Sequence, residues 1–370
     1  MQMYIVLGLL VFMIIMFFIN KVPYGVTTMT CCAVLALTGI FDIPTAFSGL
    51  ANRTTILVAC MFTIAYAFGK TSLINKIRAG MEKIKEKSGI GFIIFLFLVT
   101  IVLAQLMGRT AIVSIIALFL VSLDDNDEIC GSRMIFAAFS VLAAWSLKLP
   151  IGLGATSSAT ANAYYEGIIN NPALMLLPTD FIKVSFIPCV ALTVYALLAW
   201  KLIPKHSIST DGVKEVKATA AIDPREEMII NVVFVAVILG FIFGAKIGNL
   251  MYIIPVIGVL ALIYTKALTA KEAVNSLTTD MVWMIAGVLV MSDAIGKSGV
   301  GDLIGNSLLK ILGDHPSGLL VLVVFAVASI VMTTFMSNTG TAAVLTPVAA
   351  SLSLVAGMDP RGIVLVINIA

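Results

Sequence analysis

Hydrophobic residues fill this chain in long runs, and the polar interruptions carry most of the information. Met3–Ile19, Tyr24–Ile40 and Thr54–Phe68 read as three helices, approaching the roughly 20 apolar residues that a bilayer crossing needs. Ile74–Lys87 follows another rule. Ile74, Ile77, Met81 and Ile84 keep helical spacing while Lys76, Arg78, Lys83, Lys85 and Lys87 fill the other face, as in a helix lying on a membrane surface. Val300–Leu312 is also amphipathic, with Lys310 set against Asp302.

After each surface helix comes an apolar run broken by small polar residues. The first is Gly91–Val121, broken over Gln105–Thr110; the second is Leu319–Leu354, broken over Thr333–Thr341. Each half is roughly 15 residues, too short to cross at about 1.5 Å per residue. The pattern therefore predicts two re-entrant hairpins, whose irregular backbone is tolerated where it lines a cavity or lies within protein. Between them run the acidic loop Asp124–Glu128, the helix Ile135–Leu147, and a Gly- and Ser/Thr-rich stretch, Pro150–Asn162, predicted to be an unwound helix with free carbonyls. Phe181–Trp200 spans again, and Met228–Phe243, Leu250–Tyr264 and Met281–Ile295 lead to the second surface helix.

The two halves echo one another. Ala46, Leu50, Ala59, Ala67, Gly69 and Lys70 recur in order as Ala273, Leu277, Ala286, Ala294, Gly296 and Lys297, and Met107–Thr110 faces Met336–Thr339. This predicts an all-α polytopic membrane protein with an inverted repeat, two re-entrant hairpins and broken helices. Residues 1–200 form the first copy with its preceding spans, 201–227 a cytoplasmic linker, and 228–370 a second copy whose last spans are missing, since Gly362–Ala370 only begins the counterpart of Ile135–Leu147. The basic first surface helix belongs in the cytoplasm and the second outside, which sets the N-terminus outside.

Composition adds less. At 60% hydrophobic, 12% charged and a mean hydropathy of +1.09, the chain lies far from soluble domains, which carry about 25% charged residues. A net charge of +3 gives no reason to expect nucleic acid. Cys31, Cys32, Cys60, Cys130 and Cys189 have no metal-like or disulfide-like spacing and read as small core residues. The first segment lacks a basic start and a cleavage pattern, so it reads as a retained span. No metal, Ser/His or phosphate-loop pattern suggests an enzyme or a cofactor.

Candidate chemistry gathers at the breaks. Asn, Ser and Thr at a hairpin tip can cap the half-helix that follows, leaving its first N–H groups and positive dipole end for an anion. Hydroxyl, amide and carbonyl oxygens on the same turn suit sodium; the alternative is hydrogen-bonding glue between helices. Met336–Pro347 (Met-Ser-Asn-Thr-Gly-Thr-Ala-Ala-Val-Leu-Thr-Pro) resembles the second Ser-Asn-Thr hairpin motif of the divalent anion/sodium symporters, citrate-transporter-like permeases of the ion transporter superfamily. Asn20–Val26 and Phe41–Lys70 resemble them too. In that family two such hairpins bind one carboxylate substrate, with sodium between each tip and a broken-helix loop, and the protein forms a homodimer.

Carried over, the resemblance implies that Asn338 and Thr339, with Thr110 of the first hairpin, contact substrate. It also implies sodium at Thr333, Ser337 and Asn338, and at Gly152 and Gly154 of the broken-helix loop. The first half departs from the motif: it reads Gly108-Arg-Thr110, has Ala104 in place of a hydroxyl, and lacks the Gly-Thr-Pro-Pro-Asn wording. Arg109 is either a rim residue that snorkels or a fixed charge standing in for one sodium or gripping the anion. Asp280 reads as a solvated end, and Asp293 as a rim residue or a coupling carboxylate. The expected function is cation-coupled symport, sodium foremost, of a dicarboxylate, citrate or sulfate across the cell membrane of a bacterium. The alternatives are an arsenite-permease-like or sodium/proton exchanger, or a truncated protein that does not transport.

Overall fold

The computed structural model describes residues 2–72, 76, 80, 89–107, 109–121, 123, 127–206, 222–242, 250–313 and 316–369. Most of the expected first surface helix, Ile74–Lys87, lies outside them. The first part of the chain forms α1 (Gln2–Ile19), α2 (Tyr24–Leu37), the short α3 (Ile43–Ala46) and α4 (Arg53–Gly69). It continues with α5 (Gly89–Leu106), α6 (Arg109–Val121), α7 (Gly131–Trp145), α8 (Ser157–Ala163), α9 (Glu166–Ile169) and α10 (Asp180–Ala199). The second part forms α11 (Pro224–Ile242), α12 (Leu250–Tyr264), α13 (Ala270–Leu277), α14 (Asp280–Ser298), α15 (Val300–Leu312), α16 (Gly318–Phe335), α17 (Asn338–Ala356) and α18 (Pro360–Ile369). No strand occurs among the described residues. Six of the described helices are long and apolar enough to cross a membrane. This is an all-α, multi-pass membrane protein.

Helix starts recur at the spacing of the sequence echo. The step from Arg53 to Asp280 is the step from Ala46 to Ala273, and Gly89, Arg109 and Gly131 step by one common interval to Gly318, Asn338 and Pro360. The short helices before α4 and α14 are also capped alike. Asp42 accepts the Thr45 N–H at 3.2 Å to start α3. At α13 the Thr269 N–H donates to Glu272 Oε2 at 3.0 Å and the Glu272 N–H to Thr269 Oγ1 at 3.3 Å, a reciprocal capping box.

The chain divides into two compact units, each drawn from separate stretches of sequence. Unit 1 holds residues 1–59, 156–181 and 274–370; unit 2 holds 60–155 and 182–273. In unit 1, α14 packs against α2 and α9, and α15 against α17. In unit 2, a buried core including Phe92, Leu96, Ile112, Phe119, Met134 and Trp145 joins α5, α6 and α7. Trp145 fixes α7 to α10 by donating Nε1–H to Thr193 Oγ1 at 2.9 Å. The five cysteines are free and buried.

Three expectations need correction. Both arms of the second hairpin, and the first arm of the first, are longer than roughly 15 residues: α5 and α16 have 18 and α17 has 19, or about 27 Å at the helical rise. The polar residues do not stop these helices because their side chains bond back one turn. Thr333 and Thr334 donate to the Ile330 carbonyl, Ser351 to Pro347 and Ser353 to Ala349. Pro150–Asn162 is not unwound throughout. A short 3-10 turn covers Gly152–Thr156, and Ala159, Ala161 and Ala163 support a regular α8. Asp280 is not simply a solvated end, because it accepts the N–H of Gly25 at 2.8 Å and of Tyr24 at 3.2 Å.

Candidate functional site

The second hairpin brings its expected residues together at one break. α16 ends at Phe335, and Met336 (φ −136°, ψ 172°) and Ser337 (φ −68°, ψ 153°) are extended before α17 begins. That backbone returns the Ser337 hydroxyl onto the new helix, where Oγ accepts the Gly340 N–H at 3.0 Å and lies 3.3 Å from Thr339 Oγ1. Ser337 is therefore the N-cap. The N–H groups of Asn338 and Thr339 have no acceptor among the described residues. They are the orphan donors at the positive end of a 19-residue helix. Asn338 is exposed and Thr339 half-buried. Thr333, in the last turn of α16, spends its proton on Ile330 at 3.1 Å, which leaves its oxygen able to accept.

The first hairpin is built differently. α6 begins at Arg109; the side chains of Arg109 and Thr110 lie outside the described residues. The end of α5 is tied to the interrupted stretch by Gln105, which is fully buried. Its Nε2 donates to the Trp145 carbonyl at 2.7 Å and the Ile101 carbonyl at 3.1 Å, and its Oε1 accepts the Leu149 N–H at 3.1 Å. Gly152 and Gly154 make room for this contact. A Cβ on Gly152 (φ +56°) would collide with the Gln105 carbonyl oxygen, and one on Gly154 would lie 2.9 Å from Gln105 Oε1. A neutral side chain thus supplies the donors that the end of α7 requires.

A sequence model described as "Citrate transporter" (CitMHS) matches residues 12–368. The chain belongs to the citrate transporter family. It is similar to "Dicarboxylate transporter 1, chloroplastic" of Spinacia oleracea, at 24% identity over 80% of this chain and 54% of that protein. The protein of the same name from Arabidopsis thaliana shares 23% over 80% of this chain and 55% of its own length. An uncharacterized transporter of Haemophilus influenzae shares 22% over 98% of this chain and 80% of its own. The chain spans about half the length of the two dicarboxylate transporters. This agrees with the family resemblance carried by Met336–Pro347.

Within this citrate transporter family member, unit 1 holds Thr333, Ser337, Asn338 and Thr339, whereas unit 2 holds Arg109, Thr110, Gly152 and Gly154. Asp293 pairs with Lys297 at 3.8 Å and lines a cavity of about 220 Å³ with Glu166, Asn52, Asn170 and Ser48. Three further polar residues escaped the reading of the sequence. Gln105 had a visible signal, an amide at the end of an otherwise apolar helix. Lys148 is buried, with 8% of its surface exposed, beside the interrupted stretch, and a lysine between apolar runs was the available hint. Tyr24 receives the Ser337 N–H on its hydroxyl at 3.4 Å, and nothing in the local sequence announces that.

Proposed function

We propose that this chain is a secondary transporter that carries a small divalent oxyanion, a dicarboxylate, citrate or sulfate, in symport with sodium across the cell membrane. The observation that carries this reading is the second hairpin tip: a helix start capped by Ser337, with two N–H groups that no described residue accepts, following a helix whose last turn carries Thr333. Donors at the positive end of a helix suit a carboxylate or sulfate oxygen. Uncharged oxygens at a helix break suit a hard monovalent cation, whose charge offsets that of the anion. Asn338 and Thr339 contact the anion, while Thr333, Ser337 and Asn338 hold the cation.

In the first hairpin, Arg109 and Thr110 are the anion contacts, with Arg109 as a fixed positive charge. Gly152 and Gly154 allow the close approach that Gln105 seals, so coupling depends mainly on the second tip. The names of the dicarboxylate transporters support the substrate class, and the family match supports transport. The charge contrast between the two amphipathic helices favours the first in the cytoplasm and the second outside. A cysteine at Lys85 is then labelled from the cytoplasm and one at Lys310 from outside; labelling from the same side would contradict this arrangement. The functional test is uptake of labelled citrate, malate and sulfate into vesicles holding the purified protein, with and without an inward sodium gradient. Accumulation that follows the gradient supports the proposal, and accumulation that ignores it excludes sodium symport.

A further inference from the structure

The tip of the second hairpin rests on a corner between α1 and α2 that the reading above leaves without a role. α1 ends at Ile19, Asn20 takes a left-handed conformation (φ +50°), and α2 starts at Tyr24 directly after Pro23. Asp280 fixes that start by accepting the N–H groups of Tyr24 and Gly25. Fully buried Phe17 packs on the Tyr24 ring at 4.6 Å between centroids, tilted by 60°. Phe17 also lies 3.6 Å from where a Cβ on Gly340 would stand, beneath the first turn of α17. The phenol is therefore held from its backbone and from its ring, and its oxygen receives the Ser337 N–H at 3.4 Å.

We propose that Tyr24 positions the substrate: its hydroxyl holds the second hairpin tip through the Ser337 N–H and offers its own proton to the anion received there. This rests on reading that tip as the anion's seat. The hydroxyl oxygen acts as acceptor toward Ser337, so its proton stays available, and no described residue takes it. Ser337 directly precedes Asn338 and Thr339, whose N–H groups are also unpaired. A bound oxyanion would then meet three neutral donors at one tip. A phenol adds its hydrogen bond without the positive charge that would repel a cation at Thr333 and Ser337.

Tyr24→Phe keeps the ring on Phe17 and removes only the hydroxyl. In vesicles under an inward sodium gradient, with citrate, malate and sulfate, it raises the KM of the transported anion by about tenfold or more, the weight of a hydrogen bond to a charged group. Vmax, the sodium needed at saturating anion and the melting temperature stay near wild type. An unchanged KM overturns the proposal. So does a fall in Vmax that tracks a lowered melting temperature, which marks a purely structural role.

A second arm does not depend on transport. In a background without the five native cysteines, Asn338→Cys is alkylated by a small maleimide, and adding Tyr24→Phe speeds that reaction if the hydroxyl restrains the tip. Equal rates overturn the proposal. If the wild type carries none of the three anions but the rates differ, the transport reading fails while the hold on the tip stands.

Discussion

The two hairpins occupy the same place in the sequence echo and solve opposite problems. At the first, the end of α5 is closed by fully buried Gln105, whose amide is satisfied by Trp145, Ile101 and Leu149. At the second, Thr334 stands at the Gln105 register and bonds only to its own helix. Ser337 caps α17 and leaves the N–H groups of Asn338 and Thr339 unpaired. At the first break Gln105 is spent on the fold, whereas at the second the N–H groups of Asn338 and Thr339 have no acceptor among the described residues. Two positions that correspond in the sequence echo thus make different use of their polar groups, one tying helix ends together and the other capping a helix start.

The sharpest way to break this comparison is at Asn338. Asn338→Ala leaves a helix start that Ser337 still caps and abolishes uptake, at least about 100-fold below wild type for a group serving both ligands; initial uptake at matched protein levels checks it. Gln105→Ala should act on stability instead. It strands the Trp145 carbonyl and the Leu149 N–H in a buried junction, at about 2–4 kcal/mol. Ser337→Ala loses one cap, about 1 kcal/mol, yet removes uptake. Melting curves beside uptake for the two variants should give opposite rankings; a shared ranking would erase the distinction between the hairpins.

Arg109 stands at the register of Asn338. Arg109→Asn makes the tips more alike, so uptake falls severalfold at normal expression while the sodium dependence grows steeper. Normal transport by Arg109→Ala at every substrate concentration would make Arg109 a rim residue.

Two smaller effects sharpen the contrast elsewhere. Lys70, with Thr269, holds the Glu272 carboxyl down at about 2 from an ordinary 4.5. Glu272 therefore stabilises the fold fully above pH 4.5, and that contribution is lost as pH falls toward 2. Glu272→Gln should melt lower than wild type at pH 7, and the difference should shrink through that window. Thr333→Val should raise the sodium needed for half-maximal uptake by a few fold, with substrate affinity at saturating sodium little changed, because it removes one oxygen of several.

Much of the fold was legible because membrane helices announce themselves by length and hydropathy. Val300–Leu312 is a helix over the expected residues, and pairs of helices run over Gly89–Val121 and Gly318–Ala356, close to the expected 91–121 and 319–354. The corrections have separate causes: Thr333 and Thr334 bond back within a longer helix, alanines support α8, and Asp280 accepts backbone N–H groups from α2. The Ser337 cap was legible as a local pattern. The contact from Ser337 to Tyr24 crosses 313 residues of chain, and Gln105 reaches Leu149 across 44. Such pairings follow from packing, and no local pattern encodes them.

The central claim is that the second tip, and not the first, holds the coupling cation. The initial rate of anion uptake into vesicles, measured against sodium concentration at saturating anion, tests this most directly. One cation-holding tip predicts a hyperbolic curve with a Hill coefficient of about 1. A clearly sigmoidal curve with a coefficient approaching 2, or a rate indifferent to sodium, would contradict it.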